Sequence, residues 1–173
     1  MDNAAPPARD WSLLPLDVIS SIFVSLGAVD VLTGAGLVCR SWLEAAMLPD
    51  VWRVVDMDNH EAVNLKHQTV LRAMAMAAVD RSHGQLRVFA GKRFVDDKLI
   101  KYMVERCFCY VIYLAFCTYL TVEELTTVLE SCPVLEVLGT PYCCVICDEH
   151  KDALRAKFPR IKITSSGSTF LGS

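Results

Sequence analysis

The sequence predicts an α/β chain with an all-α N-terminus: three short helices, followed by an array of repeating strand–helix units. Three observations predict it. Between Leu14 and Trp52, apolar residues recur at helical spacing, in greater number than so small a unit buries alone. From Gln85 onward, short strand-like apolar runs return every 24 to 26 residues, each leading through a polar turn into a helical stretch. Between the two lies a run with one apolar side, from about Thr69 to Arg81, stopped by Ser82-His83-Gly84.

Taken in order, residues 1–10 (MDNAAPPARD) are polar and Pro-containing and read as a disordered lead. The helical module is placed at 11–57. Pro15 suits the first turn of a helix, where its missing N–H has no intrahelical duty. Val18, Ile19, Ile22, Phe23 and Leu26 form the apolar face of that helix, and Gly27 interrupts it. A second helical run is built on Val38, Cys39, Trp42, Leu43 and Ala46, and the module closes with Pro49 and Trp52. Gly34 and Gly36 would weaken a helix interior by about 1 kcal/mol each, so a helical break is expected there. Residues 58–84 are assigned to a linking helix, with Val70, Leu71, Met74, Ala77 and Ala78 on its buried side.

The repeating region is placed at 85–164. Its strand-like runs begin at Leu86, Val111, Leu135 and Ile161, and its helices are expected over Asp96–Val104, Thr121–Leu129 and Asp148–Phe158. Thr121-Val-Glu-Glu124 has the pattern of a capping box, which satisfies exposed helix N–H groups. Residues 165–173 (SSGSTFLGS) read as a flexible tail.

Composition narrows the function. The net charge is −3: up to Val55 there are three basic and six acidic residues, and the remainder is neutral. No basic tract stands out, so nucleic acid is not expected as a partner. Hydrophobic residues make up 53% of the chain and mean hydropathy is +0.35, which raises the question of a membrane span. The longest uncharged run, Cys107–Val122, is shorter than the roughly 20 residues a spanning helix needs, and it is rich in strand formers. It reads as buried sheet, and no membrane association is expected. There is no secretory leader pattern and no Asn-x-Ser/Thr sequon, so the eight cysteines are expected to be free thiols in a reducing compartment, cytoplasm or nucleus.

Chemistry of its own finds little support in the residues. Cys143, Cys144, Cys147 and His150 give a C-x-x-C followed by a His, but a zinc site draws on two separated segments and no second pair exists. No metal and no cofactor are expected, and a small zinc- or thiol-dependent protein is the lesser alternative. Asp96-Asp97 and Glu123-Glu124 stand where helices begin, which the helix dipole explains without catalysis.

The ordered motifs of the first module carry a resemblance. Leu14-Pro15, Asp17, Val18-Ile19, Ile22-Phe23, Leu26, then Asp30 and Leu32, Val38-Cys39-Arg40-x-Trp42, Leu48 and Trp52 together resemble an F-box. The strand–helix period, with L-x-x-L spacing at 86/89, 111/114 and 135/138, resembles degenerate leucine-rich repeats, and Val79-Asp-Arg-Ser-His-Gly-Gln-Leu86 resembles the join of plant-type F-box/LRR substrate receptors. The resemblance implies a three-helix F-box followed by a short leucine-rich-repeat solenoid, in a non-catalytic subunit of a Skp–cullin–F-box ubiquitin ligase. It implies docking of a Skp-family adaptor through Leu14, Pro15, Val18, Ile19, Ile22, Phe23, Leu26, Val38, Cys39 and Trp42, with Leu48 and Trp52 bracing the module. The repeats would hold a protein substrate, with Arg87, Lys92, Arg93, Tyr113 and Glu136 as candidate contacts. An adaptor-binding regulatory or decoy protein without its own substrate is the alternative.

Overall fold

Pro15 starts the first helix of the computed structural model, which describes residues 10–58 and 60–165; the readings of a disordered lead and a flexible tail fall almost wholly on 1–9 and 166–173, outside the described residues. A 3-10 turn at Trp11–Leu13 precedes helix α1 (Leu16–Leu26). The Pro15 carbonyl accepts the N–H groups of Val18 and Ile19, and Asp17 places a negative charge in the first turn, where the helix dipole favours it. The chain bends by 114° at Gly27 into α2 (Ala28–Thr33) and a second 3-10 turn, Ala35–Leu37. Gly34 ends α2, so the expected break sits there. α3 (Arg40–Ala45) and a third 3-10 turn, Pro49–Trp52, complete the module. Among the described residues, no single helix is long and apolar enough to cross a membrane.

The rest of the chain builds a five-stranded parallel sheet. Its strands are β1 (Val54–Asp56), β2 (Val88–Lys92), β3 (Val111–Ala115), β4 (Val137–Gly139) and β5 (Lys162–Thr164), adjacent in space in the order of the sequence. The crossover from β1 carries α4 (Glu61–Leu65) and α5 (Gln68–Arg81); the next three carry α6 (Asp97–Val104), α7 (Val122–Ser131) and α8 (Asp148–Lys157). Parallel neighbours require such crossovers, and crossovers of one hand stack the helices along one face. α5 contacts α6, and α6 contacts α7.

α6, α7 and α8 fall within two residues of their expected bounds, and the first two have legible N-caps: Asp96 accepts from the Leu99 N–H, and Thr121 from that of Glu124. The box closes as expected, with the Thr121 hydroxyl donating to Glu124 Oε2 at 2.7 Å.

The structure adds to the expected elements and shifts one of them. β1 and α4 were not anticipated, since three and five residues are too short to show a period. Strand pairing crosses the boundary drawn at 57, because β1 pairs with β2 along Val54–Val88, Val55–Phe89 and Asp56–Ala90. The strand register also differs from the one drawn from leucines. Val88, Val111, Val137 and Lys162 align, giving steps of 23, 26 and 25 residues. The strands are apolar on both faces, and without alternation the register is not marked in the sequence.

One buried row crosses the whole sheet: Val55, Phe89, Ile112, Leu138 and Ile163 are in register and each is at most 6% exposed. It belongs to a single hydrophobic cluster that runs from Ile19 to Ile163. The cysteines join this core. Cys107, Cys109, Cys117, Cys132 and Cys143 are all buried, and desolvation pushes the Cys109 thiol far up from its usual value, which makes it inert.

At the seam of α6 and α7, the carboxyls of Asp97 and Glu124 face one another. Burial first, and then the neighbouring Glu124, raise Asp97 from 3.8 to about 6, while Glu124 is lowered by the same neighbourhood. A raised acid binds its proton more tightly when folded, so its stabilisation is complete below about pH 4 and is lost as the pH rises through about 6. Glu124 acts in the opposite sense. Asp97→Asn is expected to flatten the decline in melting temperature between those pH values, as differential scanning fluorimetry would show. An unchanged profile would mean the two carboxyls share no proton.

Candidate adaptor-binding face and repeat surface

The helical module uses its apolar residues for two different purposes. Ile19 and Phe23, one helical turn apart, are wholly buried, and Trp42 meets Phe23 edge-on at 5.5 Å between ring centroids. The Trp42 indole N–H donates to the Trp11 carbonyl at 3.1 Å, and the Ser41 hydroxyl to that of Ser12 at 3.0 Å. Two side chains of α3 thereby hold the Trp11–Leu13 turn against the module. Cys39 caps α3 and hydrogen-bonds through its thiol to the Ser41 hydroxyl at 3.2 Å, which lowers the thiol's pKa. Trp52 is buried and donates to the Ala46 carbonyl, as a bracing residue should. Leu48 is half-buried against the same core.

What remains outside is apolar. Pro15, Val18, Leu26 and Val38 are exposed, and Leu14, Ile22, Cys39 and Trp42 are half-buried. Ile19 and Phe23 are corrected from docking residues to core residues: helical spacing groups them with Val18 and Leu26 in sequence, but packing against α3 and the Pro49–Trp52 turn covers them. Two prominent residues were missed. Leu13 is 79% and Leu37 73% exposed, each at the end of a 3-10 turn where no periodicity draws attention. Of the nineteen exposed large hydrophobic residues among those described, ten lie between Trp11 and Met47. The excess of apolar surface is therefore concentrated on this module.

The five repeat residues do not form one cluster. Arg87 precedes β2, with its guanidinium 5.9 Å from the Tyr110 ring centroid, whereas Lys92 ends β2 and Arg93 follows it. Five residue steps along the strand, roughly 16 Å, separate Arg87 from Lys92, with Arg93 one step further. These three basic residues, close in the sequence, are thus divided between opposite ends of the sheet. Lys92 is also occupied, pairing with the carboxylate and carbonyl of Asp58. Tyr113 is 8% exposed on the sheet face opposite the core row, and its ring lies over Gly139, where a Cβ would come within 2.2 Å of it. Glu136 is exposed just before β4, and its carbonyl accepts the Lys162 N–H. On that open face Val54, Val88, Val111 and Val137 line up in register, each partly or well exposed.

At the C-terminal end of the strands a different group comes together. Phe116 and Tyr142 stack at 4.7 Å with 13° between their planes, and the Arg93 guanidinium lies 5.7 Å from the Phe116 ring centroid. Phe116 is 41% exposed. The Cys143–His150 region does not converge on a metal: the Cys143 thiol donates to the buried Leu114 carbonyl at 3.0 Å, while Cys147 meets His150 at the surface, 3.2 Å apart. No group of three or more potential ligands forms among the described residues.

With this geometry in place, comparison with known proteins is informative. Residues 11–58 match the F-box-like family. The chain is similar to F-box/LRR-repeat protein 23 of Arabidopsis thaliana, with 34% identity over 137 residues, 78% of this chain and 30% of that protein. This chain belongs with the F-box/LRR proteins. It is also similar to F-box/LRR-repeat protein 22, with 30% identity covering 88% of this chain and 50% of the relative, and to F-box protein SKIP19, with 31% identity covering 82% and 49%, both from the same plant. The chain spans about a third to a half of the length of these relatives. In this F-box/LRR chain the F-box-like match ends two residues beyond β1, so family domain and parallel sheet share that strand.

Proposed function

We propose that this protein is a non-catalytic substrate-receptor subunit of a Skp–cullin–F-box ubiquitin ligase, acting in the cytoplasm or nucleus. The observation that carries the reading is the concentration of exposed apolar side chains on the F-box module, over a core that Ile19, Phe23 and Trp52 already fill. A patch of this kind, rimmed by polar residues, suits a helical partner such as a Skp-family adaptor. The stacked strand–helix units, read as a short leucine-rich-repeat solenoid, would hold a protein substrate on their open face. The receptor then acts by proximity, raising the effective concentration of a substrate lysine near the conjugating enzyme's thioester. Sequential parallel strand order and a step of 23 to 26 residues support the solenoid reading.

The test is binding of the purified chain to a Skp-family adaptor, with Leu37→Asp, Val38→Asp and their combination as variants. Both residues are well exposed, so the variants should keep the wild-type circular dichroism spectrum and melting temperature. Each change is expected to weaken adaptor binding at least about tenfold, near 1.4 kcal/mol. A folded wild-type chain that binds no adaptor removes the proposal, and unaffected binding by the double variant moves the docking face elsewhere.

A further inference from the structure

The end of the sheet carries a feature that adaptor docking does not use. Arg93, Phe116 and Tyr142 occupy corresponding positions, just beyond β2, β3 and β4, and all three hold positive φ of 36°, 53° and 57°. Their loops are bonded to one another: the Arg93 N–H donates to the Ala115 carbonyl at 3.0 Å, and the Phe116 N–H to that of Pro141 at 3.1 Å. Left-handed backbone is the place where glycine costs least, and a bulky residue there is an outlier. Three successive turns nevertheless carry an arginine and two aromatics, with Phe116 41% and Tyr142 67% exposed. Strain retained for the sake of exposed side chains points to recognition rather than to stability.

We propose that this edge is a peptide-recognition site for an acidic segment in which a carboxylate stands beside an apolar side chain. Phe116, Tyr142 and Tyr119 border a hollow of about 230 Å³, smaller than the roughly 300–1,000 Å³ of small-molecule sites and suited to one or two side chains of a peptide. Among the described residues, Arg93 is the only formally charged one on its lining, and no carboxylate lines it. Among the described residues no ion pair engages Arg93; its guanidinium lies against the Phe116 ring and keeps its donors for a ligand carboxylate. Gln68, whose Oε1 accepts from Arg72 at 3.3 Å, adds an amide donor at the rim. Aromatic and arginine side chains together are what protein-binding hot spots favour. The proposal deepens the substrate-receptor reading and rests on it for its cellular meaning, although binding itself is independent of it.

The experiment is an NMR titration of the ¹⁵N-labelled full chain with a short peptide carrying a Glu-Leu pair in a Gly/Ser background. Charge-reversed Lys-Leu and apolar-deleted Glu-Ser peptides serve as controls. Saturable shifts confined to the amides around Arg93, Phe116, Tyr119 and Tyr142 are expected, with both controls at least about tenfold weaker. Arg93→Glu should lose the Glu-Leu response. Phe116→Gly should also lose it while keeping the melting temperature, since glycine relaxes the turn. No saturable shift by about 2 mM peptide, equal response to the Lys-Leu peptide, or full binding by either variant overturns the site. Adaptor binding by the same samples separates the two readings: adaptor binding without a peptide response sinks this site alone, and the converse sinks the receptor reading alone.

Discussion

Trp52→Ala is expected to destabilise the whole chain by about 3–5 kcal/mol, a large part of the 5–15 kcal/mol that domains usually possess. The indole is wholly buried, and its N–H donates to the Ala46 carbonyl at 3.0 Å. On its other side the Arg81 guanidinium, at the end of α5, lies 5.3 Å from the ring centroid. Trp52 therefore touches the F-box module and the helix behind the first crossover, and β1 begins two residues after it. Removing it leaves a cavity at the join and an unpaired carbonyl. Because the hydrophobic cluster runs without a gap from Ile19 to Ile163, the loss should appear as one shifted urea transition rather than as selective melting of the N-terminal half. Trp52→Phe, which keeps most of the volume but not the N–H, should cost about 1–2 kcal/mol. Far-UV circular dichroism is the readout, since Trp11 and Trp42 complicate fluorescence. Two separate transitions in the alanine variant would show that the halves are not one cooperative unit.

Arg160→Ala should cost about 2–3 kcal/mol, the scale of lost charged hydrogen bonds and stranded acceptors. The Arg160 guanidinium sits in the turn before β5 and gathers four carbonyls of the preceding unit. Nη1 donates to Pro133 at 2.7 Å and Leu135 at 3.1 Å, and Nη2 to Leu129 at 3.2 Å and Cys132 at 3.0 Å. These include free acceptors at the C-terminal end of α7, so one side chain caps that helix and ties two successive units together. Arg160→Lys should recover less than half of the loss, because an ammonium cannot present the planar fork that reaches acceptors on two sides. Hydrogen exchange should localise the effect to the end of α7 and to β5. Full recovery with lysine, or exchange unchanged at α7, would show that the four contacts contribute nothing beyond charge.

Helix existence, helix starts and the family motif were legible in the sequence because each is a local property. A capping side chain reports its own helix, as Asp96 and Thr121 do, and a 3.6-residue period reports the presence of an amphipathic element. The F-box pattern is an ordered string and needs no coordinates. The strands were legible as apolar runs, but their register was not, because residues on both sheet faces are apolar. β1 and α4 were invisible for a related reason. Three and five residues show no period, and each is held by distant partners: β1 by its ladder to β2, and α4 by His60, whose Nδ1 caps it and whose Nε2 lies 3.1 Å from Asp30 in the module.

The candidate sites divide along the same line. The sequence by itself determined that Val18, Ile19, Ile22, Phe23 and Leu26 share one amphipathic helix, and that more apolar surface exists there than a small unit can bury. Only the tertiary structure decided which of those side chains go inward, through packing against α3 and the Pro49–Trp52 turn, and which stay available. In the strand–helix region, Arg87, Lys92 and Arg93 are close in number, yet an extended strand carries them to opposite ends of the sheet. The sequence could not place Arg93 beside Phe116 and Tyr142, which lie 23 and 49 residues further on. Hydrogen-bonded pairing of successive parallel strands makes those turns neighbours. Local sequence sets what an element is; contacts between elements set which of its side chains remain free to act.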